Sequence, residues 1–185
     1  MLADLTEAVE TRHPWTRGHA RRVAALAVAV AQSLGWDDDA LSDVRAGSLL
    51  HDVGKLSVPG EILAKPGPLN AVEQAEVRRH PAAGALLVAN LPNARRALPS
   101  ILHHHERWDG RGYPAGIAGA DIPAEARLVA LADAYDAMTS HRPYRATLSL
   151  PEALEELSRC AGTQFDPILT HACVQVWSAR LRLAV

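Results

Sequence analysis

Lysine and arginine (19) do not outnumber aspartate and glutamate (21), and the formal net charge is -2. A protein that neutralises many phosphates of a long DNA or RNA needs a basic stripe, so no nucleic-acid polymer is expected as a partner. The longest uncharged apolar run, Val23 to Ala31, ends in Gln32 and Ser33 and is far short of the roughly 20 residues that cross a bilayer. Arg21 and Arg22 before it faintly imitate a secretory signal, but Asp4, Glu7 and Glu10 precede them, so we read a core helix and no membrane segment in this chain. Only two cysteines occur, Cys160 and Cys173, outside any CxxC or Cys/His zinc spacing. That excludes a disulfide framework and makes a reducing cytoplasm the expected location. No segment shows the sustained period-2 alternation of Val, Ile and Tyr that marks strands, which leaves an all-α fold.

What is present fits one globular domain, or one module of a longer protein: 185 residues, 48% hydrophobic and 22% charged. Helical signals cover Ala3 to His13, Gly18 to Leu34 and Asp39 to His51. Gly35 ends the second, and Asp37, Asp38 and Asp39 suit the positive N-terminus of the third. Asn70 with Glu73 approximates a capping box for a helix to about Arg79, and Pro81 opens another to about Asn90, closed by Pro92. Asn93 to Glu106 reads as helical, kinked or split at Pro99. Asp109 to Pro123 holds four glycines and two prolines and must be an ordered loop. Pro123 to Met138, Ser149 to Cys160 and Asp166 to Leu183 complete the helices, with Ser149 and Asp166 as N-caps.

Nine histidines stand against one phenylalanine and three tyrosines, and histidine is the commonest metal ligand. His19, His51, Asp52, His80, His104, His105, Asp133 and Asp136 are embedded in otherwise apolar helices, where an unpaired charge costs on the order of several kcal/mol. Imidazoles with carboxylates suit iron, manganese, zinc or nickel, and the lack of nearby cysteines points to a catalytic site. Adjacent helical residues diverge by about 100°. His51 and Asp52 therefore cannot chelate one ion from one row, but Asp52 can bridge two ions while His51 holds one of them. His104 and His105 pose the same geometry at another helix end. Asp133 and Asp136 share a face, so one can ligate while the other holds a ligand or the substrate from behind. Plainer readings stay open for each residue alone: His80 as a hydrogen-bonded core histidine, Asp133 as a carboxylate satisfied by arginine, and the His104 and His105 pair as a complement to a helix dipole.

Five stretches, in this order, resemble the HD-GYP phosphodiesterases of the HD hydrolase superfamily. They are TRGHARRV (Thr16 to Val23), LLHDVGKLSVPGEILAKPG (Leu49 to Gly67), HPAAG (His80 to Gly84), HHERWDGRGYP (His104 to Pro114) and ARLVALADAYDAMTSHRPYR (Ala126 to Arg145). The resemblance spans the chain almost end to end. It implies a single HD-GYP catalytic domain, residues 1–185: a helical HD-domain bundle with a Gly/Pro-rich GYP loop at the rim of a cleft. It further implies metal ligation by His19, His51, Asp52, His80, His104, His105 and Asp133, with Asp52 bridging two divalent ions. Iron or manganese comes first, with zinc, nickel or magnesium as alternatives. Family members linearise cyclic di-GMP to pGpG, some continuing to GMP, with a water or hydroxide between the metals as nucleophile.

On the same resemblance Asp52 and Lys55 are catalytic, Lys55, Arg142 and Arg145 meet the substrate's phosphates, and Asp136 and Tyr113 join the substrate site. Guanidinium forks suit phosphate, although Arg142 can equally cap the helix ending near Ser140. Trp108 and Tyr113 either stack on guanine or anchor the loop. The loop is also linked in the family to GGDEF cyclase domains, and the catalytic module commonly follows a sensor or receiver domain, for which the residues before His13 leave no room. Some members use a glutamate four residues before the position of His19 for a third metal. Trp15 stands there and cannot ligate, so two metals are expected. His103 is expected to pack or to support the ligands, and His13, His141 and His171 have no motif support. Two alternatives accompany this reading: another cyclic dinucleotide such as cyclic GMP-AMP as substrate, and a receptor that binds cyclic di-GMP without turnover.

Overall fold

An alanine- and valine-rich face early in the chain sets how closely the helices pack. The computed structural model describes residues 2–12, 16–140 and 147–183. Its helices are α1 (Leu2–Arg12), α2 (His19–Ser33), α3 (Asp38–Leu50), α4 (Gly60–Leu63), α5 (Ala71–Val77), α6 (His80–Val88), α7 (Leu98–His103), α8 (Ala124–Thr139), α9 (Leu150–Arg159) and α10 (Pro167–Leu183). Tight 3-10 turns occupy Val53–Ser57, Pro92–Ala97 and Gly119–Asp121. No strand occurs among the described residues, and the all-helical expectation holds.

Along α2, Val23, Ala27, Val30 and Ala31 recur on one stripe and are fully buried. Their small side chains let α3 and α8 lie close alongside. Leu128, Leu131 and Ala132 of α8, Leu157 of α9 and Cys173 and Trp177 of α10 complete the larger apolar cluster. A second cluster gathers Leu50, Val53, Val88, Ala97 and Ile101 from α3, α6, α7 and the turns beside them. Asp133 follows the first cluster's Ala132, while His51 follows the second cluster's Leu50, so the polar centre lies where the two adjoin.

Several boundaries answer to local chemistry. The Asp37 carboxylate accepts from Ala40 N at 2.8 Å and caps α3. Asn70 and Glu73 form a reciprocal capping box on α5, and Ser149 and Glu152 do the same on α9. Asp166 accepts from Ile168 N and Leu169 N at the start of α10. The split expected at Pro99 is found, as a 3-10 turn followed by α7, but α7 ends at His103 and does not reach Glu106. Pro99 sits in the first turn of the six-residue α7, where a missing N–H costs nothing.

Candidate metal centre

Five elements deliver their side chains to one place, mostly from helix ends. His19 opens α2, His51 follows the last residue of α3, His80 opens α6, and His104 follows the last residue of α7. Asp133 alone comes from the middle of a helix, α8. The seven residues named as ligands from the sequence fall into two groups, His19, His51 and Asp133 in one and Asp52, His80, His104 and His105 in the other. Within each group the donor atoms all lie within 4.8 Å of one another. His51 and Asp52 go to different groups, as their helical divergence requires. His104 and His105 share one group, contrary to the expectation of equal geometry, because α7 has ended at His103 and the chain turns between them.

Asp52 faces both groups. Its Oδ2 lies 3.6 Å from His51 Nε2, and its Oδ1 lies 3.4 Å from His80 Nε2 and 4.0 Å from His104 Nε2. This placement depends on Gly54, where a Cβ would overlap the His80 carbonyl oxygen, so only glycine lets the turn after Asp52 press against α6.

The imidazoles are held from behind. Nδ1 of His51 lies 2.8 Å from Ser48 O, Nδ1 of His80 2.7 Å from Val77 O, and Nδ1 of His104 3.0 Å from Ser100 O. A carbonyl only accepts, so each Nδ1 carries a proton, and in the neutral ring Nε2 keeps a lone pair turned inward. His80 Nε2 and His104 Nε2 then face each other at 3.3 Å with lone pairs opposed, an arrangement that a shared cation relieves. The donor set, neutral imidazoles with carboxylates, fits divalent metal on this ground.

His19 differs. Its Nδ1 lies 2.7 Å from Asp136 Oδ2, and its Nε2 lies 3.3 Å from Asp133 Oδ1. Burial opposes its protonation, yet the hydrogen bonds to the two aspartates outweigh burial and raise its pKa to about 9. In the other group burial dominates and pushes His80 and His105 each down to about 4, and His104 well below the ordinary value. Burial also works against ionisation of Asp52, but the Lys55 ammonium and the surrounding imidazoles outweigh it and hold the carboxyl well below its usual range. Lys55 Nζ is 2.6 Å from Asp52 Oδ2.

Asp136, expected to hold a ligand from behind or to join the substrate site, is buried and engages protein with both oxygens. Besides His19 it accepts from Arg22 Nε at 2.6 Å on Oδ1 and from Arg22 Nη2 at 3.0 Å on Oδ2. Tyr113 stacks on His105, and the Arg78 guanidinium lies over the Tyr113 ring. His103 Nδ1 stands 3.8 Å from Glu106 Oε1, beside the ligands rather than among them. His171 sits on α10, hydrogen-bonded to Gln175. Arg142, Arg145, Trp15, His13 and His141 lie outside the described residues.

Sequence reasoning passed over two residues that the fold puts to use. Arg22 is one turn from His19 in the TRGHARRV stretch and completes the carboxylate behind it. Glu106, third in HHE, is buried and accepts from Ala115 N at 2.7 Å and Gly116 N at 3.2 Å, clamping the Gly/Pro-rich loop to the ligand segment. A cavity of about 390 Å³ opens between that loop and α8, lined by Arg78, His104, His105, Arg111, Tyr113 and Asp133 among others.

A family model described as HD domain matches residues 5–169. The chain belongs to the HD-domain family. Its resemblance to the HD-GYP phosphodiesterases is borne out by its relatives. This HD domain is 38% identical over 168 residues to a cyclic di-GMP phosphodiesterase response regulator, RpfG, of Xanthomonas campestris pv. campestris, covering 90% of the chain and 44% of that protein. It is 35% identical over 182 residues to a 3'3'-cGAMP-specific phosphodiesterase 2 of Vibrio cholerae, covering 96% of the chain and 34% of that protein. The chain thus spans less than half the length of these curated relatives. Among solved structures, a cyclic GMP-AMP specific phosphodiesterase of V. cholerae, V-cGAP3, superposes with a TM-score of 0.77 at 20% identity, over 99% of this chain and 49% of that one. That likeness shows the helical HD fold. No helix among the described residues is long and apolar enough to cross a membrane.

Proposed function

We propose that this HD domain is a metal-dependent phosphodiesterase that opens cyclic di-GMP to pGpG, with GMP as a further product. The observation that carries the reading is Asp52, whose two oxygens face two separate groups of ligand side chains. Two divalent ions, iron or manganese first for such nitrogen and oxygen donors, would be held by His19, His51 and Asp133 on one side and by His80, His104 and His105 on the other, with Asp52 shared. When bound, they supply Lewis acidity and neutralise the phosphodiester's charge.

The protein's own side chains supply the rest. The carbonyls behind His51, His80 and His104 fix their tautomers, and Asp136 fixes His19, so the donor atoms are aimed before any substrate arrives. Lys55 brings an ammonium to the Asp52 edge, where it can meet a nonbridging phosphoryl oxygen. The cavity rim carries His104 and His105 from one group and Asp133 from the other, so a phosphodiester lodged there reaches both. Arg78 and Arg111 line the same cavity, and the motif positions Arg142 and Arg145 would add guanidinium forks for the phosphates.

The relatives divide between cyclic di-GMP and 3'3'-cGAMP at similar identity, so the test offers both substrates. Protein loaded anaerobically with iron(II) or manganese(II) is incubated with each dinucleotide, and linear and mononucleotide products are resolved by chromatography. Metal-dependent pGpG from cyclic di-GMP is expected. Turnover of the GMP-AMP hybrid alone would move the specificity, and bound but intact substrate would make the domain a receptor.

A further inference from the structure

Four of the five ligand histidines are oriented by a hydrogen bond at Nδ1, to Asp136 or to a backbone carbonyl. His105 has no such bond among the described residues. Its imidazole instead lies against the Tyr113 ring, centroids 4.8 Å apart and planes 24° from parallel. The Arg78 guanidinium also lies over that ring, 4.4 Å from its centroid. The rings of His80 and His104 also touch His105, but they are ligands of the same group, each held at its own Nδ1.

The stack is anchored at the backbone. Tyr113 N donates to His105 O at 3.2 Å, so tyrosine and histidine are tied to each other directly. Gly112, just before, lies so close to Glu106 Cα and Arg107 N that a Cβ would overlap both. Just after, the Glu106 carboxylate accepts from Ala115 N and Gly116 N. Tyr113 therefore cannot drift from His105 without breaking the clamp on both sides of it.

We propose that Tyr113, backed by Arg78, is the positioning residue for His105, its ring holding that imidazole as carbonyl and carboxylate groups hold the other four. The proposal rests on the metal-binding reading of the centre given above. It makes the tyrosine of the GYP tripeptide part of the support of one ligand group. The distinguishing consequence is selectivity: loss of the ring weakens the group that contains His105 and spares the group of His19, His51 and Asp133.

Equilibrium dialysis of the protein against manganese(II), with bound metal counted per chain and thermal unfolding as the check of folding, tests this. Wild type and Tyr113→Phe are expected to bind two ions alike, since the phenyl ring keeps the stack. Tyr113→Leu is expected to bind one ion about tenfold more weakly, at the low end of what removing a ligand's support costs, and the other ion unchanged. Arg78→Gln, which removes the guanidinium from the ring, is expected to weaken the same ion about threefold, and it decides the matter if the leucine variant does not fold. Two ions held with wild-type affinity by both Tyr113→Leu and Arg78→Gln would overturn the proposal while leaving the metal reading intact. A wild-type chain that binds no manganese would overturn the metal reading first.

Discussion

The two ligand groups adjoin at Asp52 and are built to opposite electrostatic ends. Around His19, two aspartates and an arginine surround one imidazole, and its proton is retained to a pKa of about 9. Around His104, three imidazoles crowd together, and burial drives two of them down to about 4 and the third well below its usual value. Without metal, one side is thus a histidinium held by carboxylates and the other a set of neutral lone pairs aimed at a common point. A cation entering the first side must displace a proton, whereas the second is already in the state that binds metal. The partners behind the rings differ: His80 and His104 on the second side are held by backbone carbonyls at the turns beside α6 and α7, while His19 opens α2 and faces Asp133 and Asp136 of α8.

The largest effect expected is loss of the shared member. Asp52→Ala removes the one carboxylate that faces both groups, and should weaken both ions by more than about a hundredfold, beyond the cost of losing a ligand's supporting residue, with turnover lost as well. Metal stoichiometry by dialysis decides it. If only one ion is weakened, the two groups are independent and Asp52 does not bridge.

A smaller change separates the groups. Asp136→Asn keeps the shape of the side chain but removes the charge that holds His19 through Nδ1 and pairs with Arg22. The His19 group should bind metal about 10- to 100-fold more weakly, and the His104 group should be unchanged. Equal weakening of both ions would mean that the charge acts through the whole centre and that the comparison is drawn at the wrong boundary.

How much of this was legible beforehand differs by level. The helices and their caps at Asp37, Asn70, Ser149 and Asp166 follow from local rules, because a cap is a bond between residues two or three apart. The ligand histidines and aspartates could be named as polar residues in apolar helices with a family's motif order behind them. Their division into two groups could not be read, since it depends on where α7 stops and on the 3-10 turn after Asp52, both set by tertiary contacts such as that of Gly54 with α6. Asp136 was placed on the right face, and of its two expected roles the contact seen is the one that holds a ligand, His19. Spacing reports that Asp133 and Asp136 point the same way, but not that Arg22 on another helix is there to meet the second carboxylate. Glu106 and Arg78 act through loop backbone and a ring face, which leave no periodic trace.

The comparison also predicts opposite pH responses in the metal-free protein. His19 has its folded pKa raised above the ordinary 6.5, so its contribution to stability is complete below pH 6.5 and is lost as pH rises towards 9. His80 and His105 have theirs depressed to about 4. Between pH 6.5 and 4 the unfolded chain takes up protons that these buried rings refuse, so stability is lost as pH falls. With chelator present, the unfolding free energy from urea titration should therefore peak near pH 6.5 and decline on both sides, by on the order of 3 kcal/mol at pH 5 and about 2 kcal/mol at pH 8.5. Cys173, whose thiol is pushed up by burial, adds an alkaline decline of its own at and above about pH 8.5, the ordinary thiol value. Subtracting the profile of His19→Gln isolates the first group: the variant should keep the acid decline and lose most of the decline between pH 6.5 and 8.5. A variant that instead keeps the alkaline decline would show that His19 is neutral in the folded chain, and the contrast between the two sides would reduce to a difference in ligand count.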